Sequence, residues 1–250
     1  MTGQKFTVMT YNIHKGFSPG VRAFSLEPIR EALHEQSPDL LCLQEVIGAH
    51  ALHARRVKGW PALPQLEFIA RTEWPHAIYG QNASSREGHY GNGILSKFNI
   101  RDWRNVDVSA HRFERRGILH ARIDLPGTKL DLHVFCIHFG LTSRGRDTQI
   151  ERLAGLVDDY AKKGEPVIVA GDFNDWTQRA SAKLARRSGL EEVFLNASGK
   201  HAATFPSKFP LLMLDRIYFR GFTLEEARVL KGKPWNRLSD HAPIVATFSI

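Results

Sequence analysis

Four apolar runs in this chain end on residues that can do chemistry, and a fifth follows such residues. FTVMTY (6–11) leads into Asn12, LLCLQ (40–44) into Glu45, and LDLHVFCI (130–137) into His138. PVIVA (166–170) leads into Gly171-Asp172-Phe173-Asn174-Asp175, and Ser239-Asp240-His241 immediately precede the last apolar run, 243–250. Asn, Glu and Asp oxygens suit a hard dication, which takes few protein ligands and completes its shell with water and substrate phosphate. Mg²⁺ is therefore the expected cofactor, with Mn²⁺ as an alternative. Histidines beside carboxylates supply acid/base groups and hydrogen bonds to developing charge. A metal, acid/base groups and a basic surface together point to hydrolysis of a phosphoester.

Taken singly, each residue has an ordinary reading. Asn12 and Asn174 suit turns, where an Asn side chain bonds its own backbone. Glu45 suits a solvated surface, and Asp172 a plain strand-to-loop turn. The recurrence at five strand ends favours one convergent site, because a sheet fixes its strand termini while the loops leave room for a ligand.

The elements that must position these residues can be read coarsely. Phe6–Tyr11 and Leu40–Gln44 are predicted strands around a helix at Leu26–His34. The order returns later. Leu130–His138 alternates as a strand, Ile150, Leu153, Ala154, Leu156 and Val157 form a helical stripe within about 146–162, and PVIVA is a short buried strand. Further strand-like runs lie at 93–96, 106–108, 118–124 and 216–219. Many strands and few helices predict two packed sheets with helices outside. The whole chain, 1–250, reads as one domain.

TYNIH (10–14), LQE (43–45), GNGILS (91–96), IHFGL (137–141), GDFND (171–175), LDRIYF (214–219) and SDHAPI (239–244) occur in the order of the endonuclease/exonuclease/phosphatase, or DNase I-like, superfamily. The chain resembles its compact, stand-alone bacterial members over nearly its whole length. GDFND with SDHAPI is the specific part of the match. The resemblance implies a four-layer αββα sandwich and a divalent-metal phosphodiesterase or phosphatase. It implies that Asn12 and Glu45 stand on the metal side, Glu45 as direct ligand, with Asp240 an additional carboxylate there. It gives Asp172 the orientation or deprotonation of the attacking water, and Asn174 a place at the scissile phosphate. His241 and Asp215 match the family's His–Asp pair, and His138 its second histidine. Arg116 falls where a phosphate-binding arginine is common, with Arg115 the alternative. Asn92 of GNGILS and Thr204 of ATFPS are further substrate-side candidates. His89 fills a place where abasic-site nucleases carry tyrosine, which moves the expectation away from DNA-type positioning.

Composition bounds the alternatives. The chain has 250 residues, 42% hydrophobic and 24% charged, with 34 Lys and Arg against 26 Asp and Glu, a formal charge of +8. This describes a globule rather than a disordered chain and favours polyanionic partners. Cys42 and Cys136 are too few for a disulfide framework or a thiolate zinc site and read as buried, reduced thiols. With no signal core and no membrane-length apolar run, a cytoplasmic protein is expected, with a monomer favoured. His50 and His53 read as exposed helix histidines, His14 as a residue near the cleft, and the clustered Lys and Arg as solvated faces. FPLLML (209–214) reads as a core strand rather than a membrane wedge. The leading expectation is a metal-dependent phosphodiesterase acting on nucleic acid, phospholipid or a small phosphodiester. The alternatives are a DNA or RNA nuclease, including the abasic-site type, and an inactive binding module on the same scaffold.

Overall fold

A computed structural model describes residues 4–111, 114–128 and 130–250. In chain order its elements are β1 (Lys5–Asn12), α1 (Leu26–Gln36), β2 (Leu40–His50), α2 (Ala51–Arg56), α3 (Gln65–Ala70), β3 (His76–Ser84), β4 (Gly88–Ser96), β5 (Ile100–Asp107), β6 (Gly117–Asp124), β7 (Asp131–His138), α4 (Ser143–Tyr160), β8 (Val167–Asp172), α5 (Arg179–Ser188), β9 (Glu191–Glu192), α6 (Val193–Ser198), β10 (Asp215–Arg220), β11 (Thr223–Val229), α7 (Trp235–Leu238) and β12 (Ile244–Ser249).

The strands form two six-stranded mixed sheets, ordered β11-β12-β1-β2-β4-β3 and β5-β6-β7-β8-β10-β9. Each contains one parallel pair, β1 with β2 and β7 with β8. Each pair is joined through a helix, α1 or α4, as a parallel crossover requires. Three apolar layers hold the sandwich together. Val8, Cys42, Ile94, Leu119, Val134, Ile168 and Phe248 fill the space between the sheets. Ile29 and Leu33 of α1, with Leu66 and Trp235, cover the outer face of the first sheet. Ile150, Leu153 and Val157 of α4, with Leu184, cover the second. Four layers follow from these three cores, as expected. Both cysteines are buried and free.

Several boundaries differ from the sequence expectation. Helix α4 starts at Ser143, because the Thr142 side chain accepts from the Gly145 amide and caps it early. Strand β5 runs from Ile100 on a largely exposed edge, where apolar patterning is weak. Strands β3 and β11 were not anticipated, since Gly80 and Asn82 in one and paired glutamates in the other dilute the period-2 signal. The segment 209–214 is not a core strand. Phe209 and Leu211 project into solvent from a loop, and only Leu214 is buried.

Candidate active site

Strand register delivers most of the site. The β7–β8 ladder sets His138 opposite Asp172, and the β8–β10 ladder sets Asp215 opposite the same Asp172. Gly171, one residue earlier, has φ +151°, and a Cβ there would lie 2.0 Å from the Ile137 carbonyl oxygen, so only glycine lets β8 pass β7 at that point. In the facing sheet the β2–β4 register shifts between Leu43 and Val46, and Glu45 takes the left-handed φ of 56°. That irregularity turns a carboxylate out of an otherwise buried strand. Asn174 is also left-handed, at φ 49°. Its amide donates to the Phe139 carbonyl at 3.0 Å, and its backbone N–H donates to Asp172 Oδ1 at 2.9 Å. Below, the buried Arg216 donates to Asp175 Oδ2 at 3.1 Å and locks the rest of the GDFND loop.

These groups surround a cleft of about 310 Å³ lined by Glu45, Arg116, His138, Asp172, Asn174 and His241, with Leu141, Trp176, Phe205, Leu212 and Leu214 at its sides. Asn12 Nδ2 donates to Asp172 Oδ2 at 3.1 Å across the two sheets. His241 Nδ1 donates to Asp215 Oδ2 at 2.8 Å, which leaves its Nε2 facing Asp172 Oδ2 at 3.8 Å. His138 Nε2 lies 3.4 Å from that same oxygen.

Burial raises Asp172 to about 7; the charge of His241 opposes the rise and Asp215 reinforces it. Burial disfavours charge on His241, but Asp215 and then Asp172 outweigh it and lift the imidazole to about 10. His138 goes the other way, held well below the usual range by burial, then by Arg116 and His241. The site therefore holds a carboxyl near neutrality, one imidazolium and one neutral imidazole within a few ångströms.

The structure brings His138, Asp172, Asn174, Asp215, His241, Glu45 and Arg116 together. It separates Arg115 from Arg116. Arg116 donates to the Phe139 carbonyl at 3.2 Å beside the cleft, whereas Arg115 is exposed, near Asp107, on a neighbouring groove. Asp240 lies beside rather than in the cleft, with His14 Nδ1 at 3.8 Å. Its neighbour Ser239 donates to the Asn12 carbonyl at 2.7 Å.

Two placements, those of Thr204 and Asn92, correct the substrate-side expectations. Thr204 is fully buried behind Asp215, to whose Oδ2 it donates at 2.6 Å, so it supports the His–Asp pair instead of facing substrate. Asn92 is buried and donates to the carbonyls of Gly117 and Cys136, tying the two sheets together. His89 lines the neighbouring groove, of about 790 Å³, with its Nδ1 3.0 Å from the Tyr79 hydroxyl. His50 and His53 are stacked on the wall of that groove at a centroid spacing of 3.7 Å rather than standing free on a helix. Sequence reasoning passed over Lys15, whose left-handed φ of 58° brings its ammonium to 3.8 Å from Glu45. A non-glycine residue in that conformation just after a strand has no marker in the sequence.

Among the described residues the buried Glu45 Oε2 atom has no hydrogen-bond partner, and the Lys15 ammonium stands 3.8 Å from it. A carboxylate oxygen withheld from solvent and from donors fits a hard cation. Asp172, Asp215 and His241 also place ligand atoms within 4.8 Å of one another. The Nδ1 of His241 is committed to Asp215, which leaves Nε2 as its free ring nitrogen. That trio also reads as a proton network.

The profile of the Endonuclease/Exonuclease/phosphatase family matches residues 9–241. A relative in Escherichia coli K12, uncharacterized protein YbhP, is 46% identical over 241 residues, covering 96% of this chain and 95% of that protein. Among solved structures, an endonuclease/exonuclease/phosphatase from Bacteroides vulgatus superposes with a TM-score of 0.77 at 15% identity, covering 99% of both chains. D. rerio TDP2, complexed with a single-strand DNA product, superposes with a TM-score of 0.69 at 19% identity, covering 99% of this chain and all of that one. At these identities the solved structures establish the fold alone.

Proposed function

The chain belongs to the endonuclease/exonuclease/phosphatase family, and from that premise we propose that it is a divalent-metal-dependent phosphodiesterase. The observation that carries this reading is the convergence on Asp172 of a His–Asp pair and a second histidine, in one cleft with a facing glutamate whose buried oxygen accepts no hydrogen bond among the described residues. Glu45 and Asn12, with Asp240 nearby, would hold the metal, Mg²⁺ or Mn²⁺. When bound, the ion supplies positive charge that polarises the phosphate and stabilises the transition state.

The protein's own groups do the rest. Asp172, raised toward neutrality and steadied by Asn12 and the Asn174 backbone N–H, orients a water and accepts its proton. His241, held charged by Asp215, donates to a phosphoryl oxygen as negative charge grows there. His138 stays neutral and presents Nε2–H as a second donor, and Arg116 adds a fixed positive charge at the cleft wall. The non-reacting part of the substrate has room in the larger groove, which shares Lys15's surroundings with the catalytic cleft.

Hydrolysis of bis-p-nitrophenyl phosphate tests this directly. Protein stripped with a chelator is expected to be inactive and to regain turnover with Mg²⁺ or Mn²⁺. Absence of turnover with either ion would leave the binding-module alternative standing.

A further inference from the structure

Among the described residues ten large hydrophobic side chains are exposed; three of them, Leu141, Trp176 and Leu212, line the catalytic cleft, and two more, Phe209 and Leu211, stand on the loop that carries Leu212. The two most exposed, Phe209 at 79% and Leu211 at 73%, stand on the loop whose ends, Phe205 and Leu212, line the cleft itself. Clustered exposed apolar surface at a functional mouth marks an interaction site.

The display is braced rather than slack. Phe205 and Leu212 exchange backbone hydrogen bonds at 3.1 and 2.8 Å. Ser207 donates its N–H to the Asp240 carbonyl at 2.7 Å and its hydroxyl to the Ser239 carbonyl at 2.6 Å. The loop is therefore pinned to the segment that carries His241. Across the cleft, the buried Arg146 donates to the Leu141 carbonyl at 2.5 Å and stacks its guanidinium 4.0 Å from the centre of the Trp176 ring. One buried cation thus holds both apolar residues outward.

The exposed charges carried by the rim segments are cations, and Glu114, which accepts from the Leu141 N–H at 3.1 Å, is paired with Arg116. The segments 141–146, 176–179 and 205–213 contain no Asp or Glu, while Arg144, Arg179 and Lys208 are exposed in them. Three of the five apolar residues are leucines, which offer no ring for a nucleobase to stack on. Aliphatic and aromatic side chains interleaved with cations match the boundary between headgroups and acyl chains, where Trp and Phe sit shallowly and Lys and Arg meet anionic lipid.

We propose that this rim is a membrane-docking surface, which seats the catalytic mouth on an anionic lipid bilayer and presents phosphodiester headgroups to Asp172 and His241. Only the hydrolytic half of this statement rests on the phosphodiesterase reading; docking is measured without turnover.

The test is sedimentation of the full chain with phosphatidylcholine vesicles with and without phosphatidylglycerol, at physiological salt. The wild type is expected to bind the anionic vesicles, and Phe209→Ser/Leu211→Ser to lose about tenfold in partitioning, since each buried CH₂ contributes to membrane affinity. The double variant leaves net charge unchanged, so the loss cannot be attributed to the general +8 of the protein. Hydrolysis of bis-p-nitrophenyl phosphate should stay at wild-type level, because neither side chain lines the cleft. Equal vesicle binding by wild type and variant overturns the proposal. So does a variant that keeps vesicle binding but loses single-stranded DNA binding, which would assign the rim to nucleic acid. A protein that docks but fails on every phosphodiester would refute the hydrolase reading and leave the docking surface in place.

Discussion

Strand β7 carries a histidine near each end, and the two ends differ in kind. At its C-terminal end His138 meets Asp172 on β8, and through it His241, Asp215 and Asn12, so that both sheets contribute. Near its start His133 meets His120 of β6 and Glu165, all within the second sheet and its loops. Burial leads the shift at both ends: it lowers His138, His133 and His120, the last to about 3. Only at the C-terminal end do two fully buried carboxylates stand against it and keep an imidazole charged, His241. Buried histidine alone is therefore no sign of catalysis. The sign is opposed electrostatics, a raised carboxyl and a raised imidazole sharing one desolvated space.

The comparison breaks most visibly at His241. His241→Ala is expected to lower turnover by about 10²–10⁴ while leaving the fold intact, which is the usual effect of losing a positioned acid/base group. His133→Phe, at the other end of β7, should leave the rate within error of wild type. Steady-state rates on a soluble diester, with circular dichroism as the check on folding, separate the two. A His241→Ala protein with near wild-type activity would show that chemistry is not centred on Asp172.

The site was more legible in the sequence than the surface around it, for a physical reason. An apolar run that stops at Asn, Glu, His or Asp reports a strand end with a functional group on it, and strand register does the rest. Asn12, Glu45, His138 and Asp172 could be read that way. Thr204 and Asn92 were misplaced because the partners that bury them, Asp215 and the Gly117 and Cys136 carbonyls, come from distant segments. The segment 209–214 reads as core because FPLLML has core composition, yet it stands on an exposed loop. Its exposure depends on Ser207 bonding residues 239 and 240, a tertiary event with no local pattern. Lys15 and Glu45 both depend on left-handed backbone at residues that do not advertise it.

A second prediction sharpens the cross-sheet half of the comparison. Glu45→Gln keeps the shape of the side chain and removes the charge of an oxygen that accepts no hydrogen bond among the described residues, with the Lys15 ammonium 3.8 Å away. The Mg²⁺ concentration that half-saturates activity is expected to rise about tenfold or more, the range in which metal affinity responds to changes around a site. The KM for substrate at saturating Mg²⁺ should change less. An unmoved Mg²⁺ titration would remove Glu45 from the metal side.

The smallest effect is expected at the quiet end of β7, and it concerns stability. His133 Nε2 faces Glu165 at 3.2 Å, and its Nδ1 meets His120 Nε2 at 3.0 Å. If His133 donates to Glu165, its Nδ1 accepts from His120, and the His120 Nδ1 is left buried without a partner. Both rings are then neutral in the fold. His120 is depressed to about 3 by burial first, then by His133, Arg104 and Arg122, while an unfolded histidine titrates near 6.5. Between these values the unfolded chain binds more protons than the folded one, so stability falls as pH drops through that window. The loss due to His120 should reach about 1–2 kcal/mol at pH 5. His120→Phe removes that proton linkage while keeping a ring against Phe135 and Tyr160, and it should flatten the urea midpoint against pH from 6.5 to 5 without changing turnover at pH 7.5. An unchanged slope would mean that His120 is protonated in the native state, and that both ends of β7 carry charge after all.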